Sequence, residues 1–301
     1  MRLQSFLLVA TVVLAGCVGQ PSAITSTNGV IIKSFTANPQ VADFGVPVFI
    51  EAVVKNVGEQ EAKNVLLKLI GLTNEWTKDG TNTIDDTWRT GTILTGQSTD
   101  TLFPADPSRG FTEGEEVFKD WKAFPPRKNT ELNYEVTARA EYDYQTTSES
   151  LIRIVSTSYF RQTNNKGGLV SSKTSGGPLA VNVISPNTVI AAGTNTMTIQ
   201  IEVQNVGGGK TLLDGNLDRV KVETFSRLVG IGPDFKLDSK NQNEGECSKD
   251  DLKLIGSRTG RIICEIKLPE PSPFTDMPIS VKASYRYFVD STVQVKVLPK
   301  R

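Results

Sequence analysis

The same strand-and-turn pattern occurs twice in this chain, and it constrains the fold more than any other feature. Val48-Phe49-Ile50-Glu51-Ala52-Val53-Val54-Lys55-Asn56-Val57-Gly58 aligns with Met197-Thr198-Ile199-Gln200-Ile201-Glu202-Val203-Gln204-Asn205-Val206-Gly207. Val48, Ile50, Ala52 and Val54 match Met197, Ile199, Ile201 and Val203, while Glu51, Lys55, Gln200 and Gln204 fall on the opposite face. Apolar residues at every second position fit a half-buried strand, because successive side chains of a strand point to opposite faces. The shared Asn-Val-Gly ending reads as a turn, where Asn and Gly tolerate positive φ.

Other segments repeat in the same order. Val30 to Phe35 and Leu179 to Ile184 open the halves, each followed by an X-Pro step at Asn38-Pro39 or Ser185-Pro186. Ala62 to Leu69 gives a second strand in the first half, and Val220 to Phe225 in the second. Tyr134 to Tyr142 matches Ile279 to Tyr287, and closing strands are expected at Leu151–Val155 and Val293–Val297. No convincing amphipathic helix intervenes. The expected fold class is therefore all-β: two tandem immunoglobulin-like antiparallel β-sandwiches at 29–157 and 178–301. Ile50, Ala52 and Val54 are expected to pack on Val136 and Ala138, and Ile199, Ile201 and Val203 on Val281 and Ala283. The stretch 158–177 is rich in Gly, Ser and Asn and reads as a flexible linker between independent domains.

A strand ending Val-x-Asn-x-Gly, followed by Ala-x-Asn-Val, resembles the CARDB family of cell-adhesion-related sandwich domains. Lys55-Asn56-Val57-Gly58-Glu59-Gln60-Glu61-Ala62-Lys63-Asn64-Val65 carries that pattern in full. The second half keeps Val203-Gln204-Asn205-Val206-Gly207 and departs at Gly208-Gly209-Lys210. The resemblance implies a spacer, adhesion or accessory module on an extracellular protein of bacteria or archaea, and brings no catalytic residues.

The first half carries an insertion, residues 71–130, that holds all three tryptophans, Trp76, Trp88 and Trp121, with Phe103, Phe111, Phe118 and Phe124. Clustered aromatics on loops can bind sugars or a protein partner; the simpler reading is that they cap the end of the sandwich as a satellite core. Asp79, Asp85 and Asp86 lie in the same insertion, but their spacing is not that of an EF-hand loop, and a solvated loop is the simpler reading. No metal site is expected.

The three cysteines divide into one near the start and two near the end. Cys247 and Cys264 are expected to form a disulfide, a structural staple worth roughly 3 kcal/mol for a loop of this size. A two-cysteine metal site would want further soft ligands, and the chain has no histidine to supply them. Without histidine, Ser-His-Asp, Cys-His and zinc-hydrolase chemistry are closed to it. A carboxylate-only glycoside hydrolase would need two acids across a cleft, and no such pair announces itself.

Cys17 ends the stretch Leu14-Ala15-Gly16-Cys17, directly after a run from Phe6 to Leu14 that is apolar apart from Thr11. A short head with Arg2, this apolar core and small residues before the cysteine have the layout of a signal peptide, and the core is too short to span a bilayer. Leu-Ala-Gly-Cys resembles the lipobox of prokaryotic lipoproteins, an archaeal one being the first expectation. That resemblance implies cleavage after residue 16, a lipid on the Cys17 sulfur, and residues 17–28 as a tether.

Lysine plus arginine is 33 and aspartate plus glutamate is 33, with no basic stripe, so nucleic acid is excluded as a partner. The expected function is a non-catalytic, lipid-anchored binding or structural protein on the extracytoplasmic side of the cell membrane, without cofactors. It would mediate protein–protein interaction or adhesion with another surface protein. The alternative is a glycan- or solute-binding lipoprotein using the aromatic insertion of the first half.

Overall fold

The structure is a computed structural model of the chain. It describes residues 28–80, 84, 87–89, 101–191, 196–226, 235–237, 245–268 and 273–300, with backbone alone at 87–89, 235–237 and 245. The architecture is the expected all-β one, with antiparallel sheets and, among the described residues, a single α-helix at Thr157–Thr163.

A small sheet in the first half has the strand order Val30–Asn38, Val48–Asn56, Glu116–Ala123. Its counterpart in the second half has the order Gly245–Cys247, Thr259–Lys267, Thr196–Asn205, Leu179–Ile184. Both turn their alternating apolar faces inward. Val48, Ile50, Ala52 and Val54 are buried while Phe49 and Glu51 are exposed, and Met197, Ile199, Ile201 and Val203 are buried likewise. One continuous hydrophobic core joins these faces to Val136, Ala138, Val281 and Ala283.

The large sheet departs from the expectation. Its centre is a ribbon of two very long strands, Leu132–Ser156 of 25 residues and Phe274–Val297 of 24. They pair antiparallel without a break from Val297↔Leu132 to Phe274↔Val155, a length of about 80 Å at the usual rise per residue. Each therefore contains both of the segments expected as separate strands. Nothing between Tyr142 and Leu151 interrupts it, for that stretch holds neither Gly nor Pro. Tyr144, Thr146, Ser148 and Ser150 stay buried in strict alternation.

This continuity fuses the two halves. Leu151–Val155 pairs with Phe274–Pro278 of the second half, and Val293–Val297 pairs with Leu132–Val136 of the first. Each half gives its closing segment to the other, and one 12-stranded sheet spans both. Independent domains at 29–157 and 178–301 are corrected accordingly.

The linker reading is corrected too. Ser156 caps the helix Thr157–Thr163, its Oγ accepting from the Tyr159 amide at 3.2 Å. Gly168–Thr174 then forms a strand on Arg153 to Ser148. Gly167 is there for space, since a Cβ would sit 2.4 Å from the Arg153 carbonyl oxygen, and its φ is +67°.

The internal repeat is also shifted by two residues at its C-terminal end. The Tyr144 hydroxyl accepts from the Gln60 amide at 3.1 Å, and the Tyr287 hydroxyl accepts from the Gly209 amide at 2.8 Å. Both contacts lie just after the Asn-Val-Gly turns, so Tyr144 corresponds to Tyr287 and Tyr142 to Tyr285. Trp121, paired with Ile50, then corresponds to Cys264, paired with Ile199. Under this correspondence a pseudo-two-fold axis crosses the ribbon where Asp143 faces Arg286. Four buried tyrosines, Tyr142, Tyr144, Tyr285 and Tyr287, close a ring of aromatic contacts around it, with centroids 5.9 to 6.1 Å apart.

The turns themselves work by packing rather than by positive φ. Asn56 is fully buried, its Oδ1 accepting from the Gly58 amide at 3.0 Å and its Nδ2 donating to the carbonyls of Gln60 and Leu102 at 2.9 and 2.8 Å. Asn205 repeats this with Gly207, Gly209 and Ser257. A Cβ on Gly58 would lie 2.1 Å from the Tyr144 hydroxyl, and one on Gly207 would lie 2.6 Å from the Tyr287 hydroxyl. The glycines are needed so that the tyrosines can close down on the turns.

Candidate functional site

The outer face of the ribbon carries a groove of about 980 Å³ at the pseudo-two-fold axis. Asp143, Tyr144 and Gln145 of one long strand and Ser284, Tyr285 and Arg286 of the other line its centre. One wall comes from the first half, with Lys63, Phe103 and Phe111. The other comes from the second half, with Leu212, Asp214 and Lys221. The groove exists because the flanking strands leave the centre of the ribbon open. Lys63–Ile70 covers the long strand only as far as Asp143, and Gly168–Thr174 begins only at Ser148.

A chain of charges fixes the centre. Arg286 Nη1 lies 3.0 Å from Asp143 Oδ1, and Arg286 Nη2 lies 3.4 Å from Glu141 Oε2. Glu141, with 9% of its side chain exposed, takes a second cation, Lys68 Nζ at 2.7 Å. Asn64 Nδ2 donates to Asp143 Oδ2 at 2.6 Å. A nearly buried carboxylate is costly to the fold without such partners. These acids tie the ribbon to its neighbouring strand. At the rim, hydrogen bonding from the Ser108 hydroxyl, followed by the charge of Arg109, holds the Asp106 carboxyl below its usual range. Phe103 and Phe111, 42% and 62% exposed, offer apolar faces beside these charges.

Of the residues singled out from the sequence, Trp76 and Trp121 are core residues, 1% and 5% exposed. Trp76 stands edge-on to Tyr134 at 5.2 Å, and Trp121 faces inward from its strand opposite Ile50. For Trp76 and Trp121 the satellite-core reading therefore holds, since both rings fill the sandwich. The backbone of Trp88 pairs with Leu67; its side chain lies outside the described residues. So do Cys17, Asp85 and Asp86. Cys247 and Cys264 form the expected disulfide, joining directly opposed residues of adjacent strands. Among the described residues no group of His, Cys, Asp and Glu is placed to hold a metal, and no helix is long and apolar enough to cross a membrane.

The groove residues Asp143, Lys63, Lys221 and Arg286 carried no signal in the sequence, since only strand pairing brings them together. Phe103 and Phe111 belonged to the aromatic insertion and are its contribution to the site. No family model matches the chain, and no curated protein matches it either.

Proposed function

We propose that this chain is a lipid-anchored, extracytoplasmic, non-catalytic binding protein, CARDB-like in its sandwich units, that holds a surface partner in the groove over its central ribbon. The observation that carries the reading is the groove's construction. Both halves contribute walls, the floor is an unbroken two-stranded ribbon, and the acids at its centre are tied to Arg286, Lys68 and Asn64. A rigid, mixed-charge concavity with exposed aromatic rims suits recognition, since little ordering is needed on binding. Leu14-Ala15-Gly16-Cys17 supports membrane anchoring, and the disulfide suits an oxidising compartment.

The test is in-cell photocrosslinking with a benzophenone amino acid at Gln145 in the groove and, as a control, at Ile255, 82% exposed and away from it. A discrete adduct from position 145 alone is expected. The same adducts from both positions, or none from 145, would overturn the reading.

A second reading is favoured by Phe103 and Phe111, which set aromatic faces beside carboxylates and cations at the groove rim. Aromatic stacking with nearby polar groups is how glycans are held. Binding to a cell-surface polysaccharide that is lost in Phe111→Ala, with unchanged thermal stability, would select this ligand class over a protein partner.

A further inference from the structure

We infer that the far end of the first sandwich unit is a second membrane contact, an apolar tip that seats in the surface of an anionic bilayer. The inference rests on the membrane anchoring proposed above. The segment after Val30–Asn38 forms a tight turn, with the Val46 amide donating to the Asp43 carbonyl at 3.1 Å. Phe44 and Val46 project from it at 46% and 44% exposure, and Phe49 beside them is 46% exposed. Large apolar groups at the tip of an exposed turn gain nothing in water, whereas an interface accepts them.

Three cations stand at the same end as the tip, with Asp43 as the acid of the turn itself. Lys122 stands opposite Phe49 on the neighbouring strand. The C-terminal segment joins the same end, with the Leu298 amide donating to the Ala42 carbonyl and the Lys300 amide to the Lys128 carbonyl. Lys128 and Lys296 are matched by Glu75 and Glu131. Lys122, Arg127 and Lys300 have no ionic partner among the described residues. An apolar tip with Lys122, Arg127 and Lys300 at the same end, outnumbering the Asp43 of its turn, fits a surface of negative headgroups over hydrocarbon.

The reach is compatible with a lipid on Cys17. Val30–Asn38 runs for 9 residues from the seam to the tip, about 30 Å. Residues 17–28 can span at most about 40 Å. The acyl group and the tip can therefore meet one membrane together, so that the body is held at two points rather than swinging from one.

The test uses residues 18–301, which carry the whole folded body without the lipidation site, and sedimentation with vesicles of phosphatidylcholine alone or of equal parts phosphatidylcholine and phosphatidylglycerol. Binding to the anionic vesicles alone is expected, weakening about tenfold or more between 50 mM and 500 mM salt. Phe44→Asp should abolish it, and Lys122→Gln with Arg127→Gln and Lys300→Gln should weaken it to a similar degree. All four changes are on exposed positions, and an unchanged melting temperature checks folding. Absence of vesicle binding, or binding indifferent to Phe44→Asp, overturns the tip while leaving the anchor to be judged separately by detergent partition of the Cys17→Ser chain. A dimer in solution that Phe44→Asp dissociates, without vesicle binding, also overturns it, and assigns the face to a second copy of this chain.

Discussion

Asp143 and Arg286 face each other where the pseudo-two-fold axis crosses the ribbon, 3.0 Å apart between Oδ1 and Nη1. They are the equivalent positions of the two repeats, and they carry opposite charges. Were the halves identical there, an acid would face an acid or a base a base, which opposed positions of a sheet tolerate poorly. This difference favours the pairing of one half with its own partner in the chain over pairing with a like half of another chain.

Arg286→Ala should therefore cost more than Asp143→Ala. Asp143 is 42% exposed at its side chain and can turn to water, so its loss should cost less than about 1 kcal/mol. Arg286 also neutralises Glu141, which is 9% exposed, and its removal should cost about 2 kcal/mol. Urea unfolding of the two variants measures this; equal losses would mean that Glu141 leans on Lys68 alone.

Unfolding should be a single transition for the whole body. A half-chain such as residues 28–157 would keep Gln145–Ser156 without the strand that covers it from Phe274 to Ser284. Expressed alone, it should aggregate, stay unfolded or pair with a second copy, and not give a stable monomer. Two resolved calorimetric transitions in the full chain, or a monomeric folded half, would contradict the shared sheet.

The disulfide should resist attack in the native state. Cys264 is fully buried and Cys247 is 6% exposed, so with a thiol reductant present the two sulfurs should be reduced and alkylated only once the protein is also denatured. Cys247→Ser should lower stability by about 2–5 kcal/mol. Because the core is continuous, that loss should move the one transition rather than a separate one for the second half.

The tyrosine ring makes the fold sensitive to strong alkali. Burial raises Tyr142 and Tyr285 well above the usual phenol range, and Tyr144 and Tyr287 are pushed up to about 12, again chiefly by burial. A phenol with a raised folded value stabilises the native state fully below its unfolded value, near 10. That stability is lost as pH rises from there toward the folded value. Phenolate absorbance at 295 nm should thus show these four titrating together with loss of β circular dichroism above about pH 10–12. Full reversible titration near pH 10 with the sheet intact would contradict the buried ring.

Much of the local structure was legible in the chain. Val48 to Val54 and Met197 to Val203 alternate cleanly because one face of each meets the core, and any such strand must write that period into its residues. The cysteine pair followed from count and spacing. The continuity of Leu132–Ser156 was hidden by Thr146, Ser148 and Ser150, which are buried yet read as turn residues. Hydroxyl side chains serve either environment; Thr146 finds the Tyr285 hydroxyl at 2.8 Å and Ser150 finds Ser172 at 2.8 Å, while the Ser148 hydroxyl is buried without a hydrogen-bond partner among the described residues. The two-residue shift of the repeat had a similar origin, since alternate tyrosines Tyr142 and Tyr144 match Tyr287 equally well by type.

By itself, then, the sequence determined the class of fold, the twofold pattern and the staple, all set by interactions between near neighbours or by simple alternation. The tertiary structure alone decided that the halves exchange their closing segments, that Trp76 and Trp121 fill the core, and that Lys63, Asp143, Lys221 and Arg286 meet in one groove. Those outcomes depend on which strand edge pairs with which across more than a hundred residues. Any antiparallel pairing that buries the same faces satisfies the local pattern, and the competition between such pairings is settled by the whole core at once.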